Sequence, residues 1–240
     1  MRVVVASPPK SGNHWVKCLL ARIYDLSIIE GEDKPRLTPE ALPRWVASGG
    51  FPENSIVHIH NKCSRRLCDA IDAVPAHLVT ILRDPYDMFV SLYHWAQERA
   101  ERNLDSPERS RPRHALVDKP IDDPEVLAFI ENEYGATLRH GLTWLRGERA
   151  HIVRYERLHE DPIAELTALT AAIAPAPEDR ITAAIDACRA DRMRGQDEKM
   201  HWHVRSARVG DARDALGPAH LERFRRAHRA VIHELGYDVR

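Results

Sequence analysis

The sequence predicts an α/β chain, with a central, mostly parallel sheet flanked by helices. Three observations carry that expectation. Short β-branched or apolar runs alternate with stretches of helical period, as in strand–helix–strand units. Prolines punctuate the runs: Pro8-Pro9 ends the first one and Pro75 precedes the third. The run His77-Leu78-Val79-Thr80-Ile81-Leu82 is apolar enough to lie inside a sheet covered on both faces.

The elements follow in order. Val3–Ala6 is a β-branched strand, and Lys10-Ser11-Gly12-Asn13 is a small, polar turn. A helix runs from about Asn13 to Asp25, since Trp15, Val16, Leu19, Leu20, Ile23 and Tyr24 recur at helical spacing. Residues 27–55 hold many turn formers, with a short helical turn at Arg44-Trp45-Val46. Ser55–His60 alternates like a second strand, followed by a helix over Ser64–Ala73 and a third strand, His77–Leu82. Asp84 as N-cap, Pro85 at N1 and Asp87 at N3 open a helix to about Arg99. The charged, proline-containing stretch 100–120 reads as a mobile lid or loop. A helix from Asp123-Pro124 runs to about Gly135 and on toward Trp144. His151–Tyr155 is a fourth strand and Glu156–Asp161 a turn. Helices over Ile163–Ile173, Glu178–Arg189 and Gly217–Leu235 complete the chain.

The chain has 240 residues, enough for one large domain with a substantial core, and the expectation is a single domain over 1–240. Hydrophobic content of 43% and charged content of 30% describe an ordinary soluble protein. A formal net charge of −1 gives no general reason to expect nucleic acid or a membrane surface. No apolar run approaches the ~20 residues that span a bilayer. The four cysteines, Cys18, Cys63, Cys68 and Cys188, form no CxxC pair and are expected as reduced thiols. With no signal peptide at the Met1 end, the expected location is cytoplasmic.

In parallel α/β sheets, ligands bind beyond the carboxyl ends of the strands. That rule gathers the loops at Lys10, His60 and Arg83 onto one edge. Strand, small-residue turn and helix form a phosphate cradle, because backbone N–H groups and the helix dipole converge on the turn. Lys10 adds a full charge, and Ser11, Asn13 and His14 add donors. This is not a Walker A loop, which has Gly-Lys-Ser/Thr with its hydroxyl on magnesium. The order here, Lys-Ser-Gly, suggests transfer that needs no metal.

Arg83 with Ser91 is a second anion signal, since a guanidinium fork plus a hydroxyl suits a phosphate monoester. The bland alternative pairs Arg83 with Asp84 or Asp87. His60, at a strand end, is placed to take a proton, and His58 shares its face by period-two geometry. Lys62 is a third candidate on that face. Arg205, Arg208 and Arg213 lie in or beside a basic turn before the last helix and could close over a phosphate.

Taken together, these stretches resemble the PAPS-dependent sulfotransferases of the cytosolic type, where PAPS is 3'-phosphoadenosine 5'-phosphosulfate. Pro9-Lys10-Ser11-Gly12-Asn13-His14-Trp15 resembles that family's 5'-phosphosulfate loop, usually P-K-S-G-T-T-W. Arg83-Asp84-Pro85-Tyr86-Asp87-Met88-Phe89-Val90-Ser91 resembles its 3'-phosphate motif, R-N-P-x-D-x-x-V-S, with the same interval from arginine to serine. Tyr155-Glu156-Arg157-Leu158 followed by Asp161-Pro162 resembles Y-E-D-L-x-x-D-P, and Arg205 with Gly210-Asp211 resembles the C-terminal R-K-G-x-x-G-D-W. Asn13-His14 replaces two threonines, Ala212 replaces the last tryptophan, and Ser206-Ala207 replaces Lys-Gly.

The resemblance implies a three-layer fold of the P-loop-kinase type, with roles for matching residues. Lys10 would contact the bridging and 5'-phosphate oxygens, helped by Ser11, Gly12, Asn13 and His14. Trp15 would stack on adenine and Tyr155 would contact the adenosine. Arg83, Ser91 and Arg205 would bind the 3'-phosphate, with Arg208 taking over the missing lysine's charge. His60 would be the general base. The implied reaction moves the sulfuryl group of PAPS to a hydroxyl or amine of a small-molecule acceptor, leaving PAP (adenosine 3',5'-bisphosphate) and using no metal. The acceptor would contact residues 27–55, the 100–120 stretch and the 132–146 helix. A nucleotide kinase and a binding module without turnover are the rival readings. The sequence leaves the oligomeric state open.

Overall fold

A computed structural model of the chain describes residues 1–30, 38, 40–102, 111–195 and 206–240. Five strands form one sheet in the order β2-β3-β1-β4-β5, every neighbouring pair parallel. They are β1 (Arg2–Ala6), β2 (Ser27–Ile28), β3 (Ser55–Ile59), β4 (Ala76–Leu82) and β5 (His151–Arg154). The expected α/β architecture, a parallel sheet flanked by helices, is therefore the one observed.

Period-two geometry assigns each strand residue to a face. Val3 and Val5 join Val79 and Ile81 in one core with helix α1 (Asn13–Tyr24). Val4 and Ala6 face the opposite core with Val57, Ile59 and Trp144, closed by helices α2 (Ala41–Ala47) and α3 (Arg65–Asp72). A third cluster gathers α4 (Pro85–Glu101), α5 (Pro124–Asn132), α6 (Gly135–Gly147) and the last helix, Pro218–Glu234, around Phe89, Tyr134 and Phe224.

Several boundaries differ from expectation for local reasons. The two-residue β2 is too short to show a period. The helix expected to run from Asp123 through Gly135 toward Trp144 is two helices, α5 and α6, broken at Glu133-Tyr134, where the Tyr134 hydroxyl is buried and donates to the Pro85 carbonyl. The turn expected at Glu156–Asp161 is a short helix, α7 (Tyr155–Glu160), ended by Asp161, which caps the next helix by accepting from the Ala164 N–H at 3.0 Å.

The cysteine expectation is corrected. Cys18 of α1 and Cys188 form a disulfide, with Cα atoms 6.1 Å apart and a sequence separation of 170. Cysteine spacing in a sequence signals only pairs close along the chain, so a pair made by tertiary approach carries no such signal. Cys63 and Cys68 stay thiols, Sγ to Sγ at 3.5 Å, and burial pushes Cys68 up to about 11. Persistent disulfides are rare in reducing compartments, so the cysteine argument for a cytoplasmic location falls away. Among the described residues, no helix is long and apolar enough to cross a membrane.

Candidate functional site

Chain order along the sheet reverses at β1, between β3 and β4. The crevice beyond the strand ends at such a reversal is where parallel sheets hold ligands. A cavity of about 340 Å³ opens there. Its wall takes Lys10, Gly12, Asn13, His14 and Trp15 from the loop after β1 and the start of α1, His58 from β3 and His60 just beyond it, Arg83 just after β4, and Ser91 and Trp95 from α4. Tyr155 and His159 of α7, Cys188 and Met193, and Ser206-Ala207 close the far side.

The loop after β1 is held by its own hydrogen bonds. The Ser11 hydroxyl is buried and donates to the Pro8 carbonyl at 2.6 Å, and Asn13 Nδ2 donates to the same oxygen at 3.1 Å. Asn13 Oδ1 accepts from the Ser7 hydroxyl. The side chains of Ser11 and Asn13 therefore shape the loop from inside. Lys10 and Gly12 take left-handed backbone angles, φ 69° and 107°. At Gly12 only a residue without Cβ fits, since a methyl there would lie 2.7 Å from Tyr155 Cδ2. Gly12 is also the N-cap of α1, and no side chain caps that end. A helix N-terminus without a side-chain cap, beside a lysine, is an anion site by backbone geometry. The Lys10 ammonium lies over the Trp95 ring, 5.9 Å from its centroid.

Arg83 is 8% exposed and holds the opposite wall. Its Nη1 donates to the Lys10 carbonyl at 3.2 Å and Nη2 to the Arg208 carbonyl at 3.1 Å. The guanidinium lies 4.3 Å from the Tyr155 ring centroid, and its buried Nε finds no acceptor among the described residues. The bland pairing with Asp84 or Asp87 does not occur. Asp84 caps α4 and pairs with Arg240, while Asp87 accepts from the Gly210 and Ala212 N–H groups at 2.6 and 2.9 Å. A cationic fork with an unanswered donor, an unblocked helix end and a lysine around one crevice fit a bisanionic nucleotide. Burial pushes the Tyr155 phenol up, opposed by Arg83, so the ring presents a neutral face.

His60 follows β3, with Nδ1 2.9 Å from the Ser7 carbonyl. A carbonyl only accepts, so Nδ1 carries the proton and Nε2 the lone pair. The next residue is pinned from α6. His140 Nε2 and Trp144 Nε1 both donate to the Asn61 carbonyl, at 2.7 and 2.9 Å. Burial pushes His140 down to about 4, which keeps it neutral.

Not every expected residue reaches the cavity. The Arg208 side chain is 72% exposed and pairs with Asp211, and its carbonyl, not its charge, serves the site. Arg205 lies outside the described residues. Lys62 does not line the cavity, and neither does any described residue of 27–55, 111–120 or 132–146. Trp95 went unnamed although it stands one helical turn after Ser91, a spacing that places both on one face. His159 stands one turn after Tyr155 and edges Trp15 at 5.8 Å, but the segment does not read as helix in the sequence. Cys188 and Met193 carry no local signal.

The family profile described as Sulfotransferase domain matches residues 1–236. This chain belongs to the sulfotransferase family. Membership makes it a sulfotransferase, an enzyme that moves a sulfuryl group. No curated protein sequence matches it. Solved structures share the sulfotransferase's fold at low identity. Mouse sulfotransferase SULT7A1 complexed with PAP aligns with a TM-score of 0.70 at 16% identity, over 96% of this chain and 84% of that one. Retinol dehydratase in complex with androsterone and the inactive cofactor PAP gives 0.62 at 13%, over 100% and 82%. The sulfotransferase domain from the curacin biosynthetic pathway gives 0.52 at 12%, over 99% and 98%.

Proposed function

We propose that this sulfotransferase, working as a single domain, uses PAPS to sulfate a hydroxyl or amine of a small-molecule acceptor. PAPS supplies a sulfuryl group on an oxygen shared with the 5'-phosphate. Lys10 and the N–H groups at the start of α1 bind the 5' end and stabilise negative charge growing on the leaving phosphate. Arg83 and Ser91 hold the 3'-phosphate, and Trp15 and Tyr155 flank the adenosine. His60 takes the acceptor's proton at Nε2, its other nitrogen fixed by the Ser7 carbonyl. The reaction is mostly positioning and charge stabilisation, as in phosphoryl transfer. The Ser11 hydroxyl after the lysine is buried and turned to the Pro8 carbonyl, away from the position of a Walker-type metal ligand, so the proposed transfer needs no metal.

One observation carries the reading: Lys10, the end of α1, Arg83 and His60 share a single crevice. Incubation with labelled PAPS and an acceptor panel, with and without chelator, should give labelled product in both. Calorimetry should show PAP binding. A chain that neither binds PAP nor releases it from PAPS refutes the proposal. PAP binding without turnover on any acceptor supports the binding-module alternative.

A further inference from the structure

His58 is a second imidazole on the cavity wall, and the preceding mechanism gives it no task. It is half-buried, with its ring centroid 5.4 Å from that of His60 and 5.1 Å from that of His14. Behind it lies Lys17 of α1, whose side chain is 3% exposed. A lysine buried that deeply needs a counter-charge, and Glu30 supplies it. Lys17 Nζ also lies 3.4 Å from His58 Nδ1. A lysine held by a carboxylate is an ammonium, which only donates. His58 Nδ1 therefore accepts, and the proton of the neutral ring sits on Nε2.

The two neighbouring imidazoles are thus fixed in opposite tautomers. The Ser7 carbonyl puts the proton of His60 on Nδ1, leaving a lone pair on Nε2. Lys17 puts the proton of His58 on Nε2, leaving a donor there. The ring separation is one that two hydrogen bonds of about 2.8 Å to a shared atom can span.

We infer that His58 and His60 form a donor–acceptor pair that selects a hydroxyl over an amine as the sulfated group, with Lys17 and Glu30 as the positioning residues that set it. This rests on the sulfotransfer reading above. A hydroxyl oxygen has one proton and two lone pairs. Its proton passes to His60 Nε2. One lone pair accepts from His58 Nε2–H, and the other forms the O–S bond as the bond from sulfur to the phosphate oxygen breaks, that electron pair staying on the phosphate. A neutral amine has only one lone pair. Spent on sulfur, it leaves the His58 donor facing N–H groups with nothing to accept its proton. A donor on the half-buried His58 that the bound acceptor leaves unanswered costs enough to discriminate about tenfold.

The test has two arms. Long-range 15N–1H NMR of the histidine side chains in the ligand-free protein reads each tautomer without any substrate. The expected result is Nδ1–H for His60, Nε2–H for His58, and loss of the single His58 tautomer in Lys17→Met, or in Glu30→Gln if the first variant folds poorly. The same tautomer in both rings, or a His58 pattern indifferent to both substitutions, overturns the inference. The second arm measures kcat/KM on matched phenol–aniline pairs, with PAP release as readout. His58→Leu should narrow the hydroxyl-to-amine ratio about tenfold, mainly by slowing the phenols. His58→Gln keeps an N–H donor and should restore most of the ratio. A ratio unchanged in His58→Leu overturns the inference. If no acceptor is turned over, the sulfotransfer reading fails instead, and the tautomers alone decide on the pair.

Discussion

The two ends of the cavity are built in opposite ways. The Lys10 end is local: Ser7, Pro8, Ser11 and Asn13 bond one another within six residues, and α1 starts in the same turn. The Arg83 end is gathered from afar. Arg83 reaches a carbonyl 125 residues on, Asp87 holds two N–H groups 123 and 125 residues on, and Glu156 accepts from the Asp84 N–H across 72 residues. The local end can be read from a heptapeptide, while the gathered end exists only when the whole fold does. In the proposed reaction the first concentrates charge for the chemical step, and the second concentrates contacts for holding the nucleotide.

Substitutions should separate the two ends. The largest effect belongs to the chemistry. Lys10→Ala and His60→Ala should each lower kcat by roughly two orders of magnitude or more, read by steady-state PAP release. PAP affinity should change far less in His60→Ala, and a normal kcat in that variant would reassign the base. Next comes Arg83→Ala, which should weaken PAP binding about ten- to hundredfold by calorimetry, because it removes a charged fork from a buried wall. An unchanged PAP affinity would break the contrast between the ends.

A smaller, pH-dependent effect follows from the anchor behind His60. His140 is held at about 4 in the folded protein against an ordinary 6.5. Between these values the unfolded chain binds the extra proton, so this stability is complete above pH 6.5 and is lost as pH falls toward 4. Urea unfolding should lose about 2 kcal/mol from this group between neutral pH and about pH 5, and His140→Gln should flatten the slope. The smallest effect is Arg208→Ala. Its carbonyl remains to accept from Arg83, so PAP affinity should stay within about threefold. A tenfold loss would show that the exposed guanidinium swings in to meet the nucleotide.

What the sequence made legible follows the same division. Strand period, Pro8-Pro9, Gly12 and the cap at Asp84 are local signals, and each appears in the fold where the residues place it. The edge shared by Lys10, His60 and Arg83 followed from parallel topology alone. Long-range partners were not legible: the Cys18–Cys188 bond, the hold of His140 and Trp144 on Asn61, and the Cys188–Met193 wall. Nor could residue type say that Ser11 and Asn13 turn inward while Arg208 turns out, because both outcomes suit a polar side chain in a turn.

The position of β1 in the sheet has a consequence for the order of biosynthesis. It leaves the ribosome before β3 and β4, yet it lies between them, with Arg2 opposite Ser55 on one side and Ala76 on the other. Both neighbours must be synthesised before it can be enclosed, and contacts this distant in sequence form slowly. β1 is therefore buried only once two later strands have been made, and the loop that follows it packs against strands younger than itself. The loop's own hydrogen bonds need only residues 7–13, but its contact with Arg83 waits until β4 is in place.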